Sequence, residues 1–96
     1  MKTEQEQQHI ESFVRLEIDN ERKRQIEKGY NAKWDDEIKT IEDFCNDIEA
    51  YVVWARQMHR MRSPEKYRRR MMQIAAIAIA ACESYDRKEF QEGQPK

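Results

Sequence analysis

The stretch MMQIAAIAIAAC, residues Met71–Cys82, decides the fold of this chain. Gln73 is its only strongly polar residue, whereas the segments before it are densely charged. A helix that is apolar on most sides must be buried on most sides. The stretch therefore predicts a central helix against which the other helices of the protein pack.

Length and composition restrict the chain to one small domain, residues 1–96. Charged and hydrophobic residues each make up 39% of it, which is typical of a small core with a charged exterior. Two glycines and two prolines are too few for the turns of a β-sandwich or barrel. The net charge of −1 gives no global attraction to nucleic acid or to an anionic membrane. We therefore expect a single all-α domain.

The start of the chain and the cysteines predict a cytoplasmic location. The N-terminal residues MKTEQEQQ are polar and do not resemble a secretory signal. We expect Cys45 and Cys82 to stay reduced and to pack in the core as small residues. The apolar stretch is shorter than the ~20 residues that cross a bilayer, so no membrane partner is predicted.

The first helix is predicted from apolar residues at helical spacing, which begin at Ile10. It covers about residues 6–28 and ends at Gly29, a residue suited to the left-handed conformation after a helix. Residues 30–39 are interpreted as a connection, in which Trp34 is the aromatic anchor that packs onto the helices.

Two further helices follow from helix-start signals. Thr40 begins the second helix with a capping-box pattern. Ser63-Pro64 begins the third, which extends to about residue 88. The short link between them predicts an antiparallel hairpin, so the fold is a helical hairpin plus an N-terminal helix. Residues 1–8 and 89–96 are expected to be flexible.

The second helix carries two neighbouring apolar stripes, which indicates two packing partners. We interpret one partner as another helix of the same chain and the other as a second subunit. The second stripe and the apolar third helix together predict a homo-oligomer, either a dimer or a tetramer. The residues of this interface stripe are Tyr51, Trp54, Met58 and Met61.

Charge is distributed unevenly along the hairpin. Residues 35–49 hold seven acids and one lysine, whereas residues 56–70 hold seven bases and one acid. The basic group is either a solvated end that complements a helix C-terminus or a site for an anion, a phosphate or an acidic protein. We call its arginines the basic end: Arg56, Arg60, Arg62, Arg68, Arg69 and Arg70.

Two carboxylate pairs are candidates for a metal site. Glu17 and Glu21 share a face of the first helix, and Asp43 and Asp47 share a face of the second. On facing helices, four such oxygens would suit Mg²⁺. A chain with nineteen acids also forms such pairs by chance. No histidine pair, nucleophile motif or phosphate-binding loop accompanies them.

Two segments resemble a known family. Residues 21–30 (ERKRQIEKGY) followed by WDD at 34–36 are similar to the ERxRQxxKGY…HDD opening of small MazG-like proteins, which phages often encode. Trp34 stands where that pattern has His. Residues 72–87 (MQIAAIAIAACESYDR) resemble the closing helix of these proteins. The resemblance covers about residues 17–88.

The resemblance implies an all-α nucleoside triphosphate pyrophosphohydrolase fold, dimeric or tetrameric. Active members use Mg²⁺ to convert a nucleoside triphosphate to the monophosphate and pyrophosphate. Their metal ligands come from a Glu-Glu-x-x-Glu motif on one helix and a Glu-x-x-Asp motif on the next. Carboxylates on adjacent turns hold the cation against the phosphates and orient the attacking water.

This sequence departs from that ligand pattern. Ala50, Tyr51 and Trp54 stand where the first motif is expected, and Arg69 and Arg70 stand where the third helix should carry acids. Arginines in those places would repel Mg²⁺. We therefore expect a non-catalytic protein-binding or regulatory module, acting in a host cytoplasm if it is phage-encoded.

Two alternatives stay open. In the first, the protein is a Mg²⁺-dependent pyrophosphohydrolase with a non-standard cage of Glu17, Glu21, Asp43 and Asp47. In the second, the basic end binds a nucleotide or nucleic acid without hydrolysis, and its affinity falls steeply with salt.

Overall fold

The computed structural model describes residues 3–91, and all regular structure in this range is helical. Helix α1 covers Glu4–Glu27, α2 covers Ala32–Glu37, α3 covers Ile41–Arg60 and α4 covers Pro64–Gln91. The all-α prediction is confirmed. Of the two segments expected to be flexible, residues 4–8 and 89–91 are helical, and residues 1–2 and 92–96 lie outside the described range.

The helix ends follow the signals in the sequence. Thr40 and Asp43 form the predicted capping box, in which each backbone amide donates to the other residue's side-chain oxygen at 2.9 and 3.1 Å. Thr3 and Glu6 form a second box at the start of α1. Gly29 has a φ of 104° and ends α1, as predicted. The α3–α4 link turns at Arg62, which has a φ of 58°.

The segment predicted as a connection contains a fourth helix, α2. The side chain of Asn31 accepts a hydrogen bond from the amide of Trp34 at 3.0 Å and so caps a short helix. From the sequence, Asn31 and the aspartates at 35 and 36 were interpreted as turn residues. These residue types favour turns and helix starts alike, so the short helix was missed. The described chain therefore has four helices rather than the three that we predicted.

All three other helices pack on α4. The most extensive contact is between α3 and α4, joined by the short link, as the hairpin prediction requires. Phe44 of α3 packs with Ile77 and Ala80 of α4, and Ala55 and Ala76 are almost completely buried. Small residues along α4 allow its neighbours to approach closely, and the core is correspondingly small.

The central helix is less enclosed than predicted. Ala76, Ile77 and Ala80 are buried, but Met71, Ile79 and Cys82 are exposed. Three neighbours do not surround the whole circumference of α4, so one face of it remains open to solvent. The expectation of two core cysteines was also wrong, because Cys45 and Cys82 are both free and exposed.

None of the helices within residues 3–91 combines the length and the apolar character that crossing a membrane requires.

Candidate functional site

The basic end divides into paired and unpaired arginines. Arg68 binds Glu17 of α1 at 2.5 Å. Arg70 lies over the ring of Trp54, 3.4 Å from its centroid, and donates to the side chain of Gln73 at 2.6 Å. The Nε of Arg70 is buried without a hydrogen-bond partner. The other four have no ion pair or side-chain hydrogen bond within residues 3–91: Arg56, Arg60, Arg62 and Arg69.

The interface stripe is half in the core and half on the surface. Tyr51 packs against the core cluster and stacks on Trp54, with ring centroids 5.7 Å apart. Met58 is half-buried, whereas Trp54 is 41% and Met61 is 67% exposed. The exposed part of the stripe therefore lies towards the C-terminal end of α3, the helix that also carries Arg56 and Arg60.

The four candidate metal ligands do not converge. Glu21 is buried and binds Arg24 at 2.5 Å, and Glu17 binds Arg68. Asp43 belongs to the capping box of α3, and Asp47 forms an ion pair with Lys39. The carboxylates of α1 and α3 do not face each other as expected, because both helices pack on α4. Within residues 3–91, no three Asp, Glu, His or Cys side chains come close enough to hold one metal ion.

Hydrogen bonds keep two of these carboxylates ionised. The bond from Arg68 holds the pKa of Glu17 below its usual value. The backbone and hydroxyl hydrogen bonds from Thr40 likewise lower the pKa of Asp43. Both groups are therefore charged at neutral pH and already have partners in the chain.

A polar network that sequence analysis missed anchors α2 to α4. Arg87 donates to both oxygens of Asp36 at 2.8 and 3.0 Å, and the hydroxyl of Ser84 donates to Asp36 at 2.8 Å. Asp35 is only 2% exposed and receives a longer hydrogen bond, 3.4 Å, from Arg22 of α1. We call these five residues the polar network: Arg22, Asp35, Asp36, Ser84 and Arg87.

The network also corrects the role given to Trp34. Its side chain is 38% exposed and meets Tyr30 edge to face, with centroids 5.9 Å apart. The neighbouring aspartates, rather than this tryptophan, fix the connection to α4. The sequence did contain a signal for the polar network, because the two segments that carry the family resemblance supply four of its residues. These are Asp35, Asp36, Ser84 and Arg87. Their contact across the fold could not be read from either segment alone.

The two adjacent aspartates differ in their electrostatics. Burial raises the pKa of Asp35 above its usual 3.8, and the charges of Arg22 and Arg87 only partly oppose this effect. The hydrogen bonds from Arg87 hold the pKa of Asp36 below the same value. The folded structure therefore disfavours the ionised form of Asp35 and favours the ionised form of Asp36.

Two concave regions lie beside these groups. One is a cavity of about 370 Å³ among all four helices, with Ile77 and Ala80 on one side and Arg22 and Trp34 on others. The second is a charged cleft of about 390 Å³ between α1 and the start of α4, which Glu17 and Glu21 line together with four bases, Arg24, Lys66, Arg68 and Arg69.

Comparison with known proteins identifies no relative: no protein-family model, no curated protein sequence and no solved structure matches this chain.

Proposed function

We propose that this protein is a non-catalytic helical module that binds a partner protein through its basic end. The observation that carries the proposal is the engagement of all four candidate metal ligands by their own chain. Glu17, Glu21 and Asp47 are held in ion pairs, and Asp43 in a helix cap. A Mg²⁺ cage would have to break these contacts and bring the side chains together from two separated helices.

The chemistry of the basic end favours an acidic partner surface. The unpaired arginines Arg56, Arg60 and Arg69 offer forked donors that suit carboxylates. Trp54 and Met61 are also exposed, and aromatic residues and methionine are enriched at protein interfaces.

A second copy of the chain is a further proposed partner, as a dimer or a tetramer. The chain exposes 7679 Å², whereas a monomer of its mass is expected to expose about 5,900 Å². Allotting about 1,200 Å² of that surface to residues 1–2 and 92–96, which lie outside the described range, leaves an excess of about 600 Å². A standard interface buries about 800 Å² on each partner. Light scattering tests this proposal, and a monodisperse monomer at high micromolar concentration would contradict it.

The decisive experiment combines an activity assay with partner capture. Purified protein is incubated with each nucleoside and deoxynucleoside triphosphate and Mg²⁺ or Mn²⁺, and pyrophosphate is measured. We expect no release above the protein-free control. Partners are then captured on the wild type and on two charge-reversed variants, one at the basic end (R56E/R60E/R69E) and one of exposed residues elsewhere (R15E/K23E/K33E).

An acidic partner should bind the wild type and the control variant but be lost from the basic-end variant. The two variants change the net charge equally, so a difference between them reports the location of the surface rather than total charge. Equal capture on all three proteins would contradict the assignment of the basic end. If the chain is phage-encoded, we propose that it acts on a host factor in the cytoplasm.

The charged cleft supports one alternative function. Glu17 and Glu21 lie on adjacent turns of α1 and line the same cleft as four bases, and this combination of charges suits phosphates together with a cation. In this alternative the protein is a Mg²⁺-dependent pyrophosphohydrolase that uses Glu17 and Glu21 of the predicted cage without Asp43 and Asp47, after Arg24 and Arg68 release their carboxylates. Pyrophosphate release that Glu21→Gln abolishes would favour this function over the first.

A further inference from the structure

The N-terminal half of α1 extends past the helix on which it packs. Glu17 contacts Arg68, and further along both helices Arg22 contacts Glu83. The two helices therefore run in the same direction, and the residues before Glu17 continue towards and past the start of α4. We call this part of α1, residues 4–16, the arm. All but one of its residues are exposed.

The arm carries an exposed apolar row. Ile10, Phe13 and Leu16 are 40%, 52% and 55% exposed. Residues three apart on a helix are neighbours on its surface, so these three side chains form one row. Amphipathic helices bind partners by laying such a row into an apolar groove.

A groove of this kind lies between α3 and α4, near the C-terminal end of α4. It has a volume of about 380 Å³, and its lining includes Cys45 and Ile48 of α3 and Ala81, Cys82 and Tyr85 of α4. Both cysteines are exposed, and Tyr85 is 58% exposed. The lining holds one acid and one base, so it presents no net charge against an approaching helix. We call it the apolar groove.

The arm of one chain lies too far from the apolar groove of the same chain to fill it. It leaves α4 near Arg68, and Tyr85 is about 25 Å further along that helix at a rise of 1.5 Å per residue. The arm also extends in the opposite direction. A second copy in antiparallel orientation, however, brings the arm of each chain to the groove of the other. Both contacts then form together, and the pair is closed.

We propose that the arm of each chain docks in the apolar groove of a second copy, with Phe13 as its anchor beside Tyr85. This contact rests on the proposed self-association and supplies the surface for it. A standard interface covers about 800 Å² on each partner, and the arm and the groove give each chain two patches towards that area. No arginine of the basic end lines the groove, so the dimer keeps the proposed surface for an acidic partner.

Light scattering of three variants at high micromolar concentration tests the contact. Phe13→Glu places a charge in the apolar row, and Tyr85→Glu places one at the groove. Val53→Glu is the matched control, because Val53 is 62% exposed on α3 but does not line the groove. We expect the mass of a dimer for the wild type and the control, and half that mass for the other two variants. Circular dichroism checks that all four proteins are equally helical.

Disulfide trapping tests the same contact without depending on its strength. In Phe13→Cys, mild oxidation with diamide should link the arm to Cys45 or Cys82 of a second copy, and mass spectrometry of the linked dimer identifies the pair. Gln8→Cys is the control, because Gln8 is exposed on the other side of the arm and should give no more linked dimer than the wild type.

The results separate this contact from self-association itself. A monomeric wild type would overturn both. A dimeric wild type with a dimeric Phe13→Glu or Tyr85→Glu variant would leave self-association standing and overturn the contact between arm and groove. A monomeric control, a disulfide that joins two arms, or equal linking through Gln8→Cys would overturn the contact in the same way.

Discussion

The two sides of α4 are held by different physical interactions. On the α3 side, Phe44, Ile77 and Ala80 form a small apolar core. On the side of α1 and α2, ion pairs join the helices, as in Arg22–Glu83 and Asp36–Arg87. One helix can therefore use burial on one face and ion pairs on another. Carboxylates that hold helices together in this way are not available to hold a metal.

The largest effect should come from breaking the apolar side. Phe44→Ala removes a nearly buried ring from the core cluster and should lower the free energy of unfolding by about 3 kcal/mol or more. Chemical denaturation measures the change. Ile41→Ala, on the same helix at a residue that is 71% exposed, is the control and should have little effect. Similar losses in both variants would mean that the α3–α4 contact is not the main core.

A smaller loss is expected from the polar network. Asp36→Asn removes the charge that Arg87 and Ser84 contact, and should destabilise the protein by about 1–2 kcal/mol. The exposed neighbour Glu37 provides the matched control, Glu37→Gln, which should be neutral. If Asp36→Asn is as harmless as the control, the network is a surface feature rather than the attachment of α2.

The pH dependence should distinguish the two aspartates. The pKa of Asp36 is lowered on folding, so its contribution to stability is present above about pH 3.8, the usual value, and is lost as the pH falls through the folded pKa. The pKa of Asp35 is raised, so its protonation favours the folded state and its contribution declines as the pH rises from 3.8 through the folded pKa.

Denaturation curves of the Asp36→Asn and Asp35→Asn variants between neutral and acid pH measure these opposite trends. As the pH falls, the stability of the wild type should decrease relative to Asp36→Asn. Over the same range, it should increase relative to Asp35→Asn. If the relative stability changed in the same direction with pH at both positions, the assigned burial of Asp35 would be contradicted.

The smallest effect should come from the exposed ion pair between α1 and α4. Glu17→Gln and Arg68→Gln should leave the melting temperature unchanged within error, because exposed pairs contribute little and are screened by salt. A clear loss of stability in either variant would show that this pair, and not the polar network, attaches α1 and α2 to α4.

The sequence predicted the parts of the fold that depend on local rules. Helix ends at Gly29, Thr40 and Pro64 follow from the conformational and capping preferences of those residues. The attachment of α2 was missed because it joins residues about fifty positions apart in the chain, such as Asp36 and Arg87. Aromatic size suggested Trp34 as the anchor, but two charged groups and a hydroxyl fix that segment instead.

The candidate site was predicted less well than the fold, for the same reason. Helical spacing placed Glu17 with Glu21 correctly on one face of α1, and both line one cleft. The sequence could not show that Asp43 and Asp47 do not come together with them, because that depends on how the helices pack. Nor could it show the unpartnered Nε atoms of Arg22 and Arg70, which exist only once the surrounding side chains are in place.

The most direct test of the central claim is a measurement of Mn²⁺ binding by electron paramagnetic resonance, because bound Mn²⁺ loses the sharp spectrum of the free ion. If the four candidate carboxylates are committed to partners within the chain, equimolar protein should leave the free-ion spectrum unchanged. A stoichiometric loss of that spectrum with the wild type, absent in Glu21→Gln, would contradict the account.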